Sequence, residues 1–375
     1  MNLYPAETVR AQILAVLNTW GMPSDKAGTT AEVMVETDLA GIDSHGISML
    51  PGYQRLITQG TLAIGADPVT LRESPGTAVV DGGNGLGHPT MVAAMELACR
   101  KAREAGVGVV TVRRSHHFGA AGYYAKIAAD AGLVGLVTST TRTRAVVPTR
   151  GSRPLLGTNP LAFAAPAKDP DAPFVLDMST STVAVNKVKV YDYLQQPLPS
   201  GWVLDSAGQP VTDPRAAYSH LRSEHGGGLS PLGGSEELSS HKGYGLALLV
   251  QILAGALAGA AFAPLKEGPG PDDIGHFCLA IDPGFFGEPD DFTASVSAIL
   301  DTLRAEPPAS PDRPVLVPGD VERRVRAERV LTGIPVSDAL LEQLRQLCSQ
   351  SGAAFLLSRK AAEVSKSPWA ARSTE

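Results

Sequence analysis

The hydrophobic pattern of the chain is helical towards both ends. Over residues 5–20, apolar side chains recur every third or fourth position at Val9, Ile13, Val16 and Leu17, which is the spacing of one helix face. The same kind of spacing predicts helices over residues 25–39, after Pro51, and over 292–305, 320–331 and 337–351.

The middle of the chain alternates strand patterns with helix patterns. Strands are predicted over residues 68–74, 77–81, 106–115, 133–141, 173–181 and 274–282, and helices over 90–105, 119–131 and 243–261. Residues 191–240 hold many turn residues and few periodic runs. The alternation indicates a mixed α/β layer in the centre of the chain.

A standard dinucleotide-binding fold is not expected from this pattern. Its GxGxxG fingerprint should join an early strand to the following helix, whereas the nearest candidate, Gly83–Gly87, has the wrong glycine spacing. The favoured interpretation is a glycine-rich turn that opens a helix.

Composition narrows the function classes. The 375 residues are 43% hydrophobic with a net charge of -6, so two or three domains are expected and a general nucleic-acid role is not. Residues 1–14 lack the pattern of a signal peptide. The apolar stretch 245–263 contains Gln251 and several glycines, which favours a buried core helix over a membrane span. Cys99, Cys278 and Cys348 are widely separated and fit a reduced, cytoplasmic protein without a metal-type cysteine motif.

The first candidate for chemistry is Asp43-Ser44-His45-Gly46. Adjacent side chains diverge, so a protease-like Ser–His dyad is not expected, although both could face a cleft from a turn that Gly46 permits. For this motif alone, an N-cap role for Asp43 or Ser44 is the favoured interpretation.

The second candidate spans residues 113–122, where a strand ends and a helix begins. Free N–H groups and small residues at such a helix terminus suit a phosphate. His116 or His117 could transfer a proton near neutral pH. A metal site is disfavoured because neither a carboxylate nor a third histidine stands at ligand spacing nearby.

Two further clusters contain hydrogen-bonding groups and a cation. Asn159, which precedes Pro160, is expected to be extended and to form a rigid corner. Residues 177–181 end a strand with hydroxyl groups that are expected to be exposed and to suit a ribose or an amide; an ordinary turn is the alternative. Lys242 stands ahead of an apolar helix, where a cation opposes the helix dipole, a cost that a bound anion would offset; a solvated lysine at the end of a loop is the equal alternative.

Taken together, these clusters resemble the type 2 malate/L-lactate dehydrogenase family. The matching segments, in the order of the family, are GIDSHGISMLPGYQRLITQG, SHHFGAAGYYA, LLGTNPLAFAAPA, FVLDMSTSTVA, GWVLDSAGQPVTDP, LSPLGG, HKGYGLALLVQILAGALAGA and IGHFCLAIDP. They extend over residues 5–335. The family includes ureidoglycolate, sulfolactate and diketogulonate oxidoreductases and a piperideine-2-carboxylate reductase.

The resemblance implies an α/β (α+β) fold. A helical domain would combine residues 1–70 and 306–358, and residues 71–305 would form a non-Rossmann cofactor domain with a mainly antiparallel sheet. Residues 359–375 would form a flexible tail. The resemblance also implies a homodimer with active sites near the subunit interface.

The resemblance assigns roles to individual residues. His117 would exchange the proton of the substrate oxygen, with His45 and Ser44 near the substrate and Lys187 beside them. The cofactor would contact His116, Phe118, Gly119, Ala120, Ala121, Thr158, Asn159, Asp177, Met178, Ser179, Gly233, Gly234, His241, Lys242, Pro318 and Gly319, with Gly119–Ala121 as a phosphate cradle. The substrate would meet Met49, Tyr53, Arg142 and Lys187, and no metal is expected.

Several residues differ from the family pattern, and these differences bear on the identity of the substrate. Met49 stands where many members have the arginine that holds the substrate carboxylate, and methionine cannot replace its planar fork. Lys187 and then Arg142 are the candidates for the missing cation. Lys187 stands where the imine reductase has an acid, His116 and Asn186 replace a common Asn and Gly, and residues 219–240 are longer than usual.

The expected activity is interconversion of a small 2-hydroxy acid and its 2-oxo acid with NAD or NADP, with NAD favoured. Two alternatives remain at this point: reduction of a cyclic imino acid, and a non-catalytic binding protein on the same fold. The expected partner is a small molecule, with neither nucleic acid nor membrane.

Overall fold

The structure is a computed structural model that describes residues 2–221, 226–266, 268 and 270–358. The first part contains β1 (Asn2–Tyr4), α1 (Ala6–Thr19), α2 (Ser24–Leu39), a 3₁₀ turn (Ile47–Met49) and α3 (Leu50–Thr58). Then follow β2 (Val69–Glu73), β3 (Thr77–Gly85), α4 (Gly87–Ala105), β4 (Val107–Ser115), α5 (Ala121–Asp130), β5 (Val134–Ser139), β6 (Leu161–Ala165) and β7 (Phe174–Met178).

The second half begins with a loop-rich region. It contains α6 (Val185–Leu194), β8 (Val203–Leu204), α7 (Pro214–His220), β9 (Gly228–Leu229), α8 (Ser240–Val250) and a π-helical segment (Gln251–Ala256). The remaining elements are β10 (Ile274–Ile281), α9 (Pro289–Arg304), α10 (Asp320–Thr332), β11 (Ile334–Val336) and α11 (Asp338–Ser351).

The central sheet has seven strands in the order β2-β3-β4-β10-β5-β6-β7. Among the described strands of this sheet, β3 and β4 form the parallel pair and the other neighbours are antiparallel. Strand β10 lies in the centre, where Cys278 pairs with Val110 of β4 and Val137 of β5. The mainly antiparallel, non-Rossmann sheet is thus confirmed, and the glycine-rich segment 83–87 ends β3 and opens α4.

Both ends of the chain build one helical core, as predicted. Strand β1 pairs with β11, and α11 packs on α3 and α1. Ile13, Leu17 and Met34 share this core with Leu344 and Leu347. The exact domain boundaries stay a prediction, and residues 359–375 lie outside the described residues.

Helices α4 and α5 cover one face of the sheet through small residues. Met91, Met95 and Tyr124 fill this second core. A side chain at Gly108 or Gly135 would overlap the backbone of the covering helix, so glycine allows the close packing that places the α4 and α5 N-termini beside the end of β4.

Several elements differ from the prediction. Strand β6 was not expected, because Leu161–Ala165 is short and rich in alanine, which has little strand preference. Neither β1, β11, α6 nor α7 was expected. The helix predicted over 243–261 begins earlier, at Ser240, and continues as a π-helical segment that ends at Ala256.

The apolar stretch that contains α8 is buried on one face. Ala247, Val250 and Ala254 are buried, whereas Ile252 and Leu257 are 60% and 59% exposed. The predicted buried core helix is therefore buried on one face, and its other face is exposed. Among the described residues, no helix combines the length and apolar character needed to cross a membrane.

Candidate active site

A cluster of four rings lies where β4 ends. The Tyr53 hydroxyl is 2.7 Å from Nδ1 of His117, and the His45 ring stacks on His117 with the centroids 5.3 Å apart. The His88 ring lies 5.9 Å from that of Tyr53 and 6.3 Å from that of His117. His45 and His117 are half-buried, whereas Tyr53 and His88 are buried, so the first two form the accessible side of the cluster.

The segment after β4 is fixed at several points. The N–H of Gly87 donates to the His117 carbonyl at 3.0 Å. Phe118 stacks on Tyr124, with the centroids 5.0 Å apart, and the Tyr124 hydroxyl donates to the Phe118 carbonyl. Gly119 has a φ of +79° and donates its N–H to Nδ1 of His117 at 3.3 Å. These bonds hold the His117 imidazole through its backbone and through Nδ1.

The turn that carries His45 is held by a buried carboxyl group. Asp38 Oδ2 accepts the N–H of Ile47 at 2.9 Å. A Cβ at Gly46 would overlap the Asp38 carboxyl group, so glycine is required there. The Ser44 hydroxyl bonds Nδ1 of His45 at 2.7 Å.

Two expectations about this turn are therefore wrong. The adjacent Ser44 and His45 side chains meet in a hydrogen bond rather than diverge, because the turn brings them to one side. Asp43 and Ser44 do not cap the following helix, since Asp38 binds the N–H of Ile47. Asp43 is paired with Arg329 instead.

Burial sets the protonation of the cluster. It lowers the pKa of His117 well below the usual 6.5, and the nearby positive charge of Arg142 acts in the same direction. Burial also lowers the pKa of His45 and raises that of the Tyr53 phenol. Imidazoles with lowered pKa values are neutral near pH 7 and can accept a proton from a substrate hydroxyl, whereas the Tyr53 phenol keeps its own proton.

The His116 side chain anchors the segment after β4 to two other parts of the chain. It is fully buried, with Nε2 2.7 Å from the Thr61 carbonyl and Nδ1 3.3 Å from Asp272 Oδ2. Its predicted contact with the cofactor remains untested.

The two candidate cations occupy different places. Arg142 Nε lies 3.5 Å from Asp272 Oδ2, and its charge lowers the pKa of His117. Lys187 is exposed, and its ammonium lies 5.5 Å from the centroid of the Trp202 ring. Arg142 is exposed as well, and the order of the two cations for the substrate carboxylate stays a prediction.

Met49 lies one helical turn before Tyr53. It is partly buried and packs against the helical core. Residues four apart share a helix face, which places Met49 on the side of the turn and helix where Tyr53 meets His117.

The predicted phosphate cradle already contains a carboxylate. Asp177 at the end of β7 accepts the N–H of Gly122, in the first turn of α5, at 2.7 Å. The residue is exposed overall, yet the carboxylate is desolvated at the helix terminus; this desolvation, with a smaller effect of the nearby Glu322, raises its pKa to about 6 against the opposing hydrogen bond from Gly122. A phosphate at this terminus would therefore meet a negative charge, and the cradle of Gly119–Ala121 stays a prediction.

The corner at Asn159 is not extended, contrary to the prediction. Its φ is +37°, a region that Asn tolerates better than most residues. Nδ2 donates to the Ala247 carbonyl at 3.0 Å, while the buried Oδ1 has no hydrogen-bond partner among the described residues. A buried acceptor without a partner fits a ligand that brings an N–H donor, such as a carboxamide.

The hydroxyl groups after β7 are largely used by the protein. Thr180 bonds the carbonyls of Thr158 and Asn159 at 3.1 Å, and Ser181 bonds that of Val183 at 2.9 Å. Both are buried, so the expectation of exposed hydroxyls fails for them. Met178 and Ser179 are partly exposed, and the Ser179 hydroxyl donates to the Ser181 carbonyl at 3.3 Å and accepts from the Ser181 hydroxyl at 3.0 Å.

Two loops flank this edge of the sheet. Gly233 and Gly234 have φ values of +107° and +80°, and the N–H of Gly234 bonds the Thr182 hydroxyl at 3.1 Å. His241 and Lys242 are exposed in the first turn of α8. On the other side, the carbonyl of Pro318 accepts the N–H of Val175 at 3.4 Å, and Gly319, with a φ of +99°, is the N-cap residue that precedes α10.

Three residues of this region were missed from the sequence. His88 looks like one polar position in an alanine-rich helix, Asp38 like an exposed helix residue, and Asp272 like part of a surface loop. The signal for Asp38 was its position before an SHG turn with an obligatory glycine. Nothing near His88 or Asp272 in the sequence pointed to the site.

A model of the malate/L-lactate dehydrogenase family matches residues 4–345. The chain belongs to this family. The malate dehydrogenase of Pyrococcus horikoshii is 34% identical over 93% of this chain and 95% of that protein. The L-sulfolactate dehydrogenase of Methanocaldococcus jannaschii is 36% identical over 92% and 96%.

Solved structures show the same fold. The malate dehydrogenase of Entamoeba histolytica has a TM-score of 0.89 and 30% identity, with 94% of this chain and 99% of that chain covered. The Δ1-piperideine-2-carboxylate reductase of Pseudomonas syringae has a TM-score of 0.79 and 30% identity, with 92% and 100% covered. This member of the malate/L-lactate dehydrogenase family is thus an oxidoreductase that acts on the CH–OH group of hydroxy acids.

Proposed function

We propose that the protein oxidises a small 2-hydroxy acid to the 2-oxo acid, reversibly, with His117 as the group that exchanges the hydroxyl proton. The observation that carries this role is the pairing of His117 Nδ1 with Tyr53 at 2.7 Å. Because Nδ1 is engaged, Nε2 is the nitrogen left for the substrate. When bound, a nicotinamide ring accepts a hydride from the substrate C2, or donates one in the reverse direction.

His117 acts in both directions through Nε2. In oxidation, Nε2 accepts the hydroxyl proton while the hydride leaves C2. In reduction, Nε2 returns a proton to the new alkoxide oxygen. His45 stacks on His117 and is hydrogen-bonded to Ser44; its ring lines the same side of the cleft and excludes water from the reacting atoms.

Arg142 is proposed to bind the substrate carboxylate. It is the cation whose charge reaches His117, and a guanidinium matches a carboxylate better than an ammonium does. With Met49 in place of an arginine, the other side of the pocket is less polar. We therefore infer a 2-oxo or 2-hydroxy acid with a neutral or apolar side chain.

The cofactor is proposed to lie along the edge formed by the end of β7 and its flanking loops. Asn159 Oδ1 would accept the N–H of the carboxamide, and Asp177 a ribose hydroxyl. The phosphates are assigned to the Gly233–Gly234 loop and Lys242, away from the Asp177 carboxylate. NAD is favoured over NADP, because Asp177 and Glu322 would repel a further phosphate near Gly319.

A homodimer in the cytoplasm is part of the proposal. Leu248, Leu249, Ile252 and Leu257 form an exposed apolar face on the α8 segment, and contiguous apolar surface of this kind marks an interface. The three cysteines are free and buried, which suits a reducing compartment.

The test is a panel of 2-oxo acids, assayed by absorbance of the reduced nicotinamide with NADH and NADPH in separate series. Turnover of at least one 2-oxo acid supports the proposal. Turnover of piperideine-2-carboxylate alone would establish the alternative, an imine reductase like the Pseudomonas syringae enzyme of the same fold. Absence of turnover and of reduced-cofactor fluorescence enhancement would indicate a non-catalytic protein.

A further inference from the structure

His88 lies in the ring cluster without a partner of its own. It is 0% exposed, and neither ring nitrogen has a hydrogen-bond partner among the described residues. A buried imidazole always carries at least one donor or acceptor that prefers a bond, and leaving such a group unsatisfied is unfavourable. A buried polar group of this kind at a reactive site calls for a functional explanation.

The position of His88 points it at Tyr53 and His117. It is the second residue of α4, and its ring meets the Tyr53 ring edge-on at 79°, with the centroids 5.9 Å apart. A Cβ at Gly119 would come within 3.3 Å of His88 Nε2, so the glycine makes room for this imidazole. His88, Tyr53 and His117 thus form a triangle in which each ring neighbours the other two.

Proton exchange at His117 Nε2 imposes a condition on Nδ1. If Nε2 is to accept a proton, the neutral ring must carry its hydrogen on Nδ1, and the imidazolium carries one there too. Nδ1–H must then donate to the Tyr53 oxygen, so the Tyr53 hydroxyl hydrogen has to turn to another acceptor. The Gly119 N–H, which points at Nδ1, favours the opposite and unproductive tautomer.

We propose that His88 is a positioning residue that accepts the Tyr53 hydroxyl, directly or through one water molecule, whenever Nδ1 of His117 carries a hydrogen. The three side chains form a relay in which Tyr53 donates to His117 in one state and to His88 in the other. The relay selects the tautomer of His117 whose Nε2 is a base. This inference rests on the proposed role of His117.

The electrostatic surroundings support an acceptor role. The pKa of His88 is lowered to about 3, mainly by burial, with smaller contributions from His276 of β10 and His45 of the turn. The N-terminal position in α4 also disfavours a positive charge. Tyr124 of α5 adds a second phenol with a raised pKa to this environment. His88 is therefore neutral at working pH and offers a lone pair rather than a charge.

The test is ¹⁵N NMR of histidine-labelled protein, in which the nitrogen shifts report the tautomer and pKa of His117 without turnover. Comparison with His117→Gln assigns its signals among the eight histidines. In His88→Leu, the His117 tautomer is expected to move towards Nε2–H, and its pKa to fall by about 0.5–1 unit, the effect of one hydrogen bond. A repulsive role for His88 predicts a rise instead.

Two variants separate the relay from packing. His88→Gln retains an acceptor and is expected to restore most of the wild-type tautomer balance. In a Tyr53→Phe background, His88→Leu is expected to change neither the tautomer nor the pKa, because the connecting hydroxyl is gone. Equal shifts in both backgrounds, or an unchanged tautomer in His88→Leu, would overturn the relay.

Activity provides the last comparison. If the relay operates, His88→Leu lowers kcat/KM for 2-oxo acid reduction about tenfold, and the pH at which reduction declines moves down with the pKa of His117. A pH profile that stays unchanged in an active, folded His88→Leu protein would contradict the inference. If the wild type turns over no substrate while the NMR shifts occur, the proposed function fails and the relay stands.

Discussion

Asp38 is a buried carboxyl group under the turn that carries His45, and its titration should govern stability. It is 2% exposed, and burial raises its pKa from 3.8 to about 8; the hydrogen bond from Ile47 and the charge of Arg329 oppose this only in part. Between pH 4 and 8 the unfolded chain therefore ionises Asp38 while the folded protein keeps it protonated. The contribution of Asp38 to the free energy of unfolding is therefore fully present below pH 4, and it is lost as the pH rises to 8.

Asp38→Asn removes this titration while keeping an oxygen that can accept the Ile47 N–H. Each unit of pKa difference corresponds to about 1.4 kcal/mol. Between pH 5 and 8, the free energy of unfolding of the variant should therefore rise by up to about 4 kcal/mol relative to that of the wild type. Urea unfolding followed by fluorescence at pH 5, 6, 7 and 8 measures this difference.

The matched control is Asp130→Asn, which changes an exposed carboxylate paired with Lys126. The difference between its free energy of unfolding and that of the wild type is expected to stay nearly constant from pH 5 to 8. If the free energies of unfolding of the wild type and Asp38→Asn change in parallel with pH, the reasoning is refuted. Parallel curves would show that Asp38 ionises alike in the folded and the unfolded state.

Three further predictions concern the substrate and the assembly. Met49→Arg should raise the ratio of oxaloacetate to neutral 2-oxo acid turnover by about tenfold or more; an unchanged ratio in the substrate panel would remove position 49 from the pocket. Arg142→Leu should lower kcat/KM about 10- to 100-fold, as for a lost charge-assisted bond, whereas the control Lys187→Leu stays within about threefold; the reverse order would restore Lys187 as the carboxylate's cation. Light scattering should give twice the 39.0 kDa of one chain, and Ile252→Glu, but not Phe286→Ser, should shift it towards the monomer; a monomeric wild type would exclude the dimer.

The sequence predicts the elements with strong local signals. The long strands β4, β5 and β10 are rich in valine, leucine and isoleucine, and glycines end the helices at Gly106 and Gly132. Strand β6 lacks such a signal because three of its five residues are alanine. The position of β10 between β4 and β5 depends on pairing over more than 130 residues of sequence, which local periodicity does not encode.

Some residues of the candidate site are likewise visible in the sequence, whereas others are placed there only by the fold. His117, Tyr53 and His45 belong to motifs that the sequence displays. Asp38 and His88 could not be identified in this way, because each is one polar residue on a helix and only the fold buries it. The hydrogen bond between Ser44 and His45 likewise depends on turn geometry that residue types alone do not fix.

The central claim is that His117 exchanges the substrate proton, and His117→Ala tests it most directly. The variant should fold and bind reduced cofactor like the wild type, as judged by thermal unfolding and nicotinamide fluorescence. Its turnover of the best 2-oxo acid should fall about 10²-fold or more, and added imidazole should restore part of it. His220→Ala is the control for loss of a histidine elsewhere. Near-normal turnover of His117→Ala would contradict the mechanism.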